Sequence, residues 1–172
     1  MRFRAAVNGV TTKNSDFPRS ELREMANNGT TKAGWDSTSG THTFFLDEAI
    51  TAVPFKKKHI VAGQIHDAED DIILIRLEDR NLYIREDGKN VHTLDSDYSL
   101  GKRFTIKFVV SVGETKVYYN GSETPSYTLN KDYSNAYFKA GAYTQSNCSK
   151  EESCNDGNYG EVFVYQATVT HE

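Results

Sequence analysis

No run of apolar residues in this chain approaches the length of a membrane-crossing helix, so none is expected within it. Proline is scarce, at 3 residues, and no Pro/Ser-rich linker, internal repeat or low-complexity block divides the 172 residues. A single domain over residues 1–172 follows as the expectation. A cationic excess is missing too: 20 Lys and Arg stand against 24 Asp and Glu, a formal net charge of −4. Nucleic-acid binders usually carry a clear positive excess to displace counterions, so no nucleic-acid partner is expected, although a local basic groove is compatible with the total. The N-terminus, Met1-Arg2-Phe3-Arg4, lacks the apolar run of a signal peptide, and any export signal is expected to have been removed or to lie outside this sequence. With 26% charged and 37% hydrophobic residues, the chain fits neither a disordered tail nor a membrane protein; a soluble, monomeric globular domain is expected.

Cysteine is rare as well. Cys148 and Cys154 lie six positions apart in a polar stretch with Ser149, Lys150, Glu151, Glu152 and Ser153. That spacing matches no zinc pattern without further ligands nearby, so the pair reads as a disulfide closing a surface loop, worth roughly 2 kcal/mol in the chain-entropy model, with two free thiols as the alternative. A disulfide implies an oxidising compartment and hence a secreted protein.

Helical periodicity is poor, whereas short stretches rich in Val, Ile, Phe, Tyr and Thr recur between Gly, Asn and Asp clusters. Strands are expected over Arg2 to Val7, Ser20 to Met25, Thr43 to Ile50, His59 to His66, Ile72 to Glu78, Leu82 to Glu86, Phe104 to Val112, Lys116 to Tyr119, Ala136 to Gln145 and Glu161 to Thr170. Asp79-Arg80-Asn81 and Gly113-Glu114 sit where hairpins would reverse. About ten such strands point to an all-β fold, a sandwich or jelly roll of two antiparallel sheets. One helical turn is expected, around Lys131 to Asn135.

Side chains alternate between the faces of a strand, so residues two apart share a face. One face of Arg19 to Met25 carries Arg19, Glu21 and Arg23, which for this segment alone would fit an exposed edge strand. Gln64 and His66 share a face at the end of an otherwise apolar strand, where a solvated histidine is the commoner case. Tyr137, Lys139, Gly141, Tyr143 and Gln145 share a third face, with Phe138, Ala140, Ala142 and Thr144 behind. Two phenols, an ammonium and an amide around a glycine gap make a platform for a sugar ring and its carboxylate. Together the three segments describe a groove that attracts an anionic, hydroxyl-rich polymer to a protein of negative net charge.

Arg19-Ser20-Glu21-Leu22-Arg23-Glu24, Gln64-Ile65-His66 and Tyr137-Phe138-Lys139-Ala140-Gly141-Ala142-Tyr143-Thr144-Gln145 resemble, in the same order, the three signature motifs of the alginate lyases of polysaccharide lyase family seven. Asn8-Gly9-Val10-Thr11-Thr12 and Asn158-Tyr159-Gly160-Glu161 extend the resemblance over nearly the whole chain. It implies a β-jelly roll of two curved antiparallel sheets with substrate along the concave one. Family members usually have several dozen residues before the segment equivalent to Met1-Arg2-Phe3-Arg4, so this late start would expose apolar surface or a sheet edge.

The chemistry assigns roles. Removing the C5 proton of a uronate demands that its carboxylate be neutralised by aimed donors, for which Arg19, Gln64 and His66 are the candidates. A base takes the proton and an acid supplies one to the C4 oxygen. Tyr143 suits either role, its anion favoured by cations such as Arg19 or Lys139. For mannuronate Tyr143 could serve as both; for guluronate His66 as base and Tyr143 as acid is the alternative. Glu21 would orient Arg19 or Arg23, while Arg23, Lys139, Tyr137 and Gln145 would hold neighbouring uronates. No metal or other cofactor is required; Asp67, Glu69, Asp70 and Asp71 read as a solvated turn rather than a calcium site. The family resemblance also implies, from Ile65 at the middle of Gln64-Ile65-His66, a lean toward guluronate-containing blocks. A non-catalytic carbohydrate-binding module or lectin would need the same cationic, aromatic face but no proton-transfer pair, and a lyase for another polyuronate such as glucuronan would change only the sugar.

Overall fold

The computed structural model describes residues 1–172. It contains strands and no helix: β1 Arg2–Ala6, β2 Arg19–Arg23, β3 Met25–Ala26, β4 Thr31–Lys32, β5 Thr41–Ala52, β6 His59–His66, β7 Asp71–Glu78, β8 Asn81–Glu86, β9 Lys89–Asp95, β10 Arg103–Ser111, β11 Glu114–Tyr119, β12 Tyr127–Asn130, β13 Tyr137–Thr144 and β14 Tyr159–His171. Two six-stranded sheets take all but one hairpin. The back sheet runs β1-β14-β5-β10-β11-β12, the site sheet runs β2-β13-β6-β7-β8-β9, and β3 pairs with β4 alone. Neighbours distant in sequence, β14 between β1 and β5 and β13 between β2 and β6, give the jelly-roll connectivity expected.

Alternation explains how the layers close. In β10, Phe104, Ile106, Phe108 and Val110 are buried while Arg103 and Lys107 are exposed. Ile73, Ile75 and Leu77 of β7 answer from the site sheet, within a single 27-residue core. Each such side chain contributes about 1.5–3 kcal/mol of burial.

Three features depart from the sequence expectation. β9, β12 and the β3–β4 hairpin were not anticipated: β9 is mostly exposed and reads as polar, and β12 has four residues. Lys131–Asn135 forms no helical turn. Its amides go elsewhere, Lys131 N–H to Gly113 C=O, Tyr133 N–H to Ser37 Oγ and Asn135 N–H to the Asp36 carboxylate, so the segment is pinned along the 36–37 loop. The third is a bulge in β6, where the pairing with β7 slips between Val61 and Gly63. Ala62 joins the core, and a Cβ on Gly63 would lie 2.7 Å from Leu46 Cδ1, so two successive residues face inward. That extra residue lets Ile60 and Ala62 pack inside while Gln64 and His66 face out.

β2 is the outer strand of the site sheet, and beside it a slot of about 400 Å³ opens between the layers, lined by Leu22, Met25, Phe44, Phe138 and Val169 among others.

Candidate active site

The site sheet brings the three sequence segments side by side. Arg19, Glu21 and Arg23 of β2 lie opposite Tyr143, Gly141 and Lys139 of β13. On the other flank of β13, Tyr137 and Lys139 lie opposite His66 and Gln64 of β6. Arg19, Arg23, Gln64, His66, Tyr137, Lys139 and Tyr143 line one cavity of about 360 Å³. Gly141 is what lets β2 approach: its φ is +136°, and a Cβ there would meet Ser20 O at 2.5 Å and Glu21 Cα at 2.9 Å. The glycine gap expected to seat a sugar is therefore a strand-docking requirement.

Glu21 is the hub beneath the floor, its side chain 2% exposed. It takes the Lys139 ammonium at 2.6 Å and an N–H from Gln64 Nε2 at 2.5 Å, with Arg19 Nη1 at 3.6 Å. Gln64 keeps a second N–H to offer. Burial pulls the Lys139 pKa down, and Glu21 opposes that shift. Arg19 lies on the Tyr143 ring, 3.7 Å from its centroid, and Arg23 lies on the Tyr137 ring at 3.5 Å. His66 stacks on the other side of this pair, 5.4 Å from Tyr137 between ring centroids. Burial raises the Tyr137 pKa, opposed by Arg23 and Arg19.

His66 Nδ1 sits 2.7 Å from the Asp67 carbonyl. A carbonyl only accepts, so Nδ1 carries the proton and Nε2 of the neutral ring keeps its lone pair. The Tyr143 hydroxyl lies 3.1 Å from Ser15 Oγ. His66 and Tyr143 flank the Gln64–Lys139 row from opposite ends of the strands.

Gln145 stands apart from that cavity, in an adjoining one of about 300 Å³ with Arg76, Arg85 and Tyr143. Arg76 Nη1 reaches its Oε1 at 3.4 Å and Arg76 Nη2 meets His59 Nδ1 at 2.8 Å. Burial, then the Arg76 charge, push the His59 pKa down to about 4. Arg76 and Ser15 were not singled out in the sequence; Arg76 is a lone cation in the otherwise apolar run Ile72 to Leu77, and that was the available signal. The acidic turn closes on itself, Asp67 Oδ1 accepting the Glu69 and Asp70 amides. Burial and then Asp70 raise the Asp71 pKa.

Cys148 and Cys154 form a disulfide with Cα atoms 4.9 Å apart. Glu151 inside that loop accepts from Lys56 N, Lys57 N, Ser146 Oγ and Asn158 Nδ2, tying the loop to the turn between β5 and β6.

A jelly roll that gathers cations, phenols, an imidazole and an amide over one sheet defines a carbohydrate-active protein with a site for an acidic, hydroxyl-rich polymer. The sequence profile of the alginate lyase family matches residues 1–171, and the chain belongs to that family. Among solved structures it is similar to alginate lyase AlgAT5 from polysaccharide lyase family 7, at 52% identity and TM-score 0.95 over 99% of this chain and 77% of that one. It is similar to an alginate lyase from Corynebacterium sp., at 51% identity and TM-score 0.96 over 99% and 76% of the two chains. A more distant likeness, 26% identity and TM-score 0.81 over 99% and 77%, is to the family 7 alginate lyase A1-II′, there a variant with a histidine changed to asparagine and a tyrosine to phenylalanine, in complex with a substrate, GGMG. No curated protein gives a significant match.

Proposed function

We propose that this alginate lyase cuts 4-linked uronates by β-elimination, with Arg19, Gln64 and His66 around the substrate carboxylate and Tyr143 at the scissile bond. The carrying observation is that these four side chains line one cavity, over a buried Glu21 that fixes two of them. Arg19 and the unspent Gln64 N–H supply charge and a donor for the enolate-like intermediate. The free lone pair on His66 Nε2 favours His66 as the base that takes the C5 proton, and Tyr143 as the acid that protonates the departing C4 oxygen. Two separate groups as base and acid suit guluronate, whose proton and leaving group lie on opposite sides, and support a preference for guluronate-containing blocks. That A1-II′ was solved with the substrate GGMG in a variant changed at one histidine and one tyrosine supports a histidine–tyrosine pair here.

Arg23 and Tyr137 would hold a neighbouring uronate, Lys139 acting with Glu21 below them and Gln145 beyond Tyr143. A monomeric enzyme is part of the same proposal. The Cys148–Cys154 disulfide supports action outside the cytoplasm.

The test is to incubate the protein with alginate, polymannuronate, polyguluronate and glucuronan and follow the ultraviolet absorbance of unsaturated chain ends. Signal on alginate, faster on polyguluronate than on polymannuronate, is expected. Binding without absorbance on every polymer would leave a carbohydrate-binding module instead.

A further inference from the structure

Glu24 ends the first motif, yet the elimination gives it no task. Its side chain turns away from the cavity and is 6% exposed. The Glu24 amide donates to Phe138 C=O at 2.9 Å, and in return Glu24 Oε2 accepts the Phe138 N–H at 2.9 Å. A carboxylate thus replaces the backbone carbonyl that would extend the β2–β13 ladder. The same oxygen accepts Trp35 Nε1–H at 3.0 Å.

From the other oxygen a chain of contacts leads to the back sheet. Glu24 Oε1 meets His171 Nε2 at 2.6 Å, His171 Nδ1 meets His42 Nδ1 at 2.7 Å, and His42 Nε2 lies 2.8 Å from Ser39 O and 3.1 Å from Asp36 O. Trp35 stacks on His42 with ring centroids 4.3 Å apart.

Both ends of this chain are acceptors. A carbonyl only accepts, so His42 Nε2 carries a proton; an ionised carboxylate only accepts, so His171 Nε2 carries one; and one of the two facing Nδ1 atoms must carry a third. Two neutral imidazoles bring two protons. The intact chain therefore holds one proton more than neutral rings with an ionised Glu24, and drawing it on the carboxyl leaves the count unchanged. When that proton leaves, two lone pairs face each other at one link, and the link opens.

Of the surrounding charges, the Asp36 carboxylate takes the Asn135 amide, Lys139 of β13 is paired with Glu21, and Arg23 lies on Tyr137 of β13; Glu172, next to His171, exchanges backbone hydrogen bonds with Thr41 and its side chain forms no ion pair.

We propose that Glu24 is a positioning residue, and that Glu24–His171–His42 is a proton-dependent brace holding β2 against β13 from behind. Arg23 precedes Glu24, and Tyr137 and Lys139 flank Phe138, so the brace sets the register of the groups that grip the neighbouring uronate. The inference rests on reading Arg23 and Tyr137 as binding groups.

Kinetics on alginate across pH with wild type, Glu24→Gln, Glu24→Ala and Arg23→Ala test it. The glutamine amide can donate to His171 Nε2 while its carbonyl accepts the Trp35 and Phe138 N–H groups, so the brace closes with both rings neutral. Wild-type KM should rise several-fold toward alkaline pH, Glu24→Gln should remove that rise, and Glu24→Ala should raise KM about tenfold at every pH with kcat within about threefold of wild type. A partly unfolded preparation lowers apparent kcat and leaves KM alone, so the split separates positioning from stability. Arg23→Ala should raise KM at every pH. An unchanged KM in Arg23→Ala would remove the binding reading and the proposal with it. A raised KM there with a wild-type KM in Glu24→Ala, or an alkaline rise retained in Glu24→Gln, would overturn the brace alone.

Discussion

Tyr143 carries its ring under Arg19 and its hydroxyl toward Ser15, so in the proposed elimination the ring packs and the hydroxyl reacts. Tyr143→Phe keeps the first and removes the second: kcat should fall by about a hundredfold or more while KM stays within about threefold, measured by absorbance of unsaturated ends. A variant of comparable activity would end the assignment. Glu21 makes the opposite case, a buried residue that holds Lys139, Gln64 and Arg19, the groups proposed to meet substrate. Removing it strands the Lys139 ammonium, buried with no other acceptor at ion-pair distance. Glu21→Ala should therefore cost about 3–5 kcal/mol in denaturant unfolding, in addition to losing turnover. Spacing showed that Arg19, Glu21 and Arg23 share a face, but it could not show that Glu21 serves Gln64 and Lys139, because cross-strand partners depend on which strands become neighbours. Arg76 and Ser15 escaped for the same reason: each is a single polar residue whose meaning comes from elements distant in sequence.

At the scale of strands and turns, the chain was legible wherever one face is buried. The alternation in β10 and β13 could be read directly, because a one-residue slip would expose the whole core face. β9 was not legible, since an exposed edge strand buries no face that would impose a pattern. The β6 bulge was hidden too: strict alternation would put Ile60 and Ala62 on the same face as Gln64 and His66, and only the close approach at Gly63 shows where the count shifts. The β10–β11 hairpin was placed one residue late. Its two turn residues are Val112 and Gly113, with φ of 53° and 74°. A β-branched residue is costly at positive φ, and Val112, 82% exposed, gains no burial in return. Val112→Asn supplies the residue this two-residue turn prefers and should stabilise by about 1 kcal/mol, raising the melting temperature by roughly 2–4 °C in a thermal scan. An unchanged or lower melting temperature would show that Val112 is not strained there.

The molecule as a whole carries one buried charge site that no local pattern announced. Glu48 lies in β5 among inward-facing apolar residues, fully buried, with no hydrogen-bond partner for either oxygen, and a Cβ on Gly63 would lie 3.9 Å from its Oε1. Burial, and then Asp47, push its pKa up to about 8 from 4.5. The folded state therefore binds this proton more tightly than the unfolded chain. Its contribution to stability is complete below about pH 4.5, declines as pH rises, and is lost once pH passes about 8. His59 acts in the opposite direction: with its pKa lowered to about 4 by burial and Arg76, it withdraws stability as pH falls from about 6.5 toward 4. The two effects overlap on the acid side, but between about pH 6.5 and 8 only Glu48 of this pair titrates. Across that interval the wild-type denaturant midpoint should fall, the whole Glu48 effect amounting to a few kcal/mol. Glu48→Gln keeps the shape and cannot ionise, so its midpoint should fall less over the same interval and exceed that of wild type at pH above about 8. Parallel profiles for the two proteins would mean that Glu48 stays ionised in the fold, and that the alkaline loss comes from other groups.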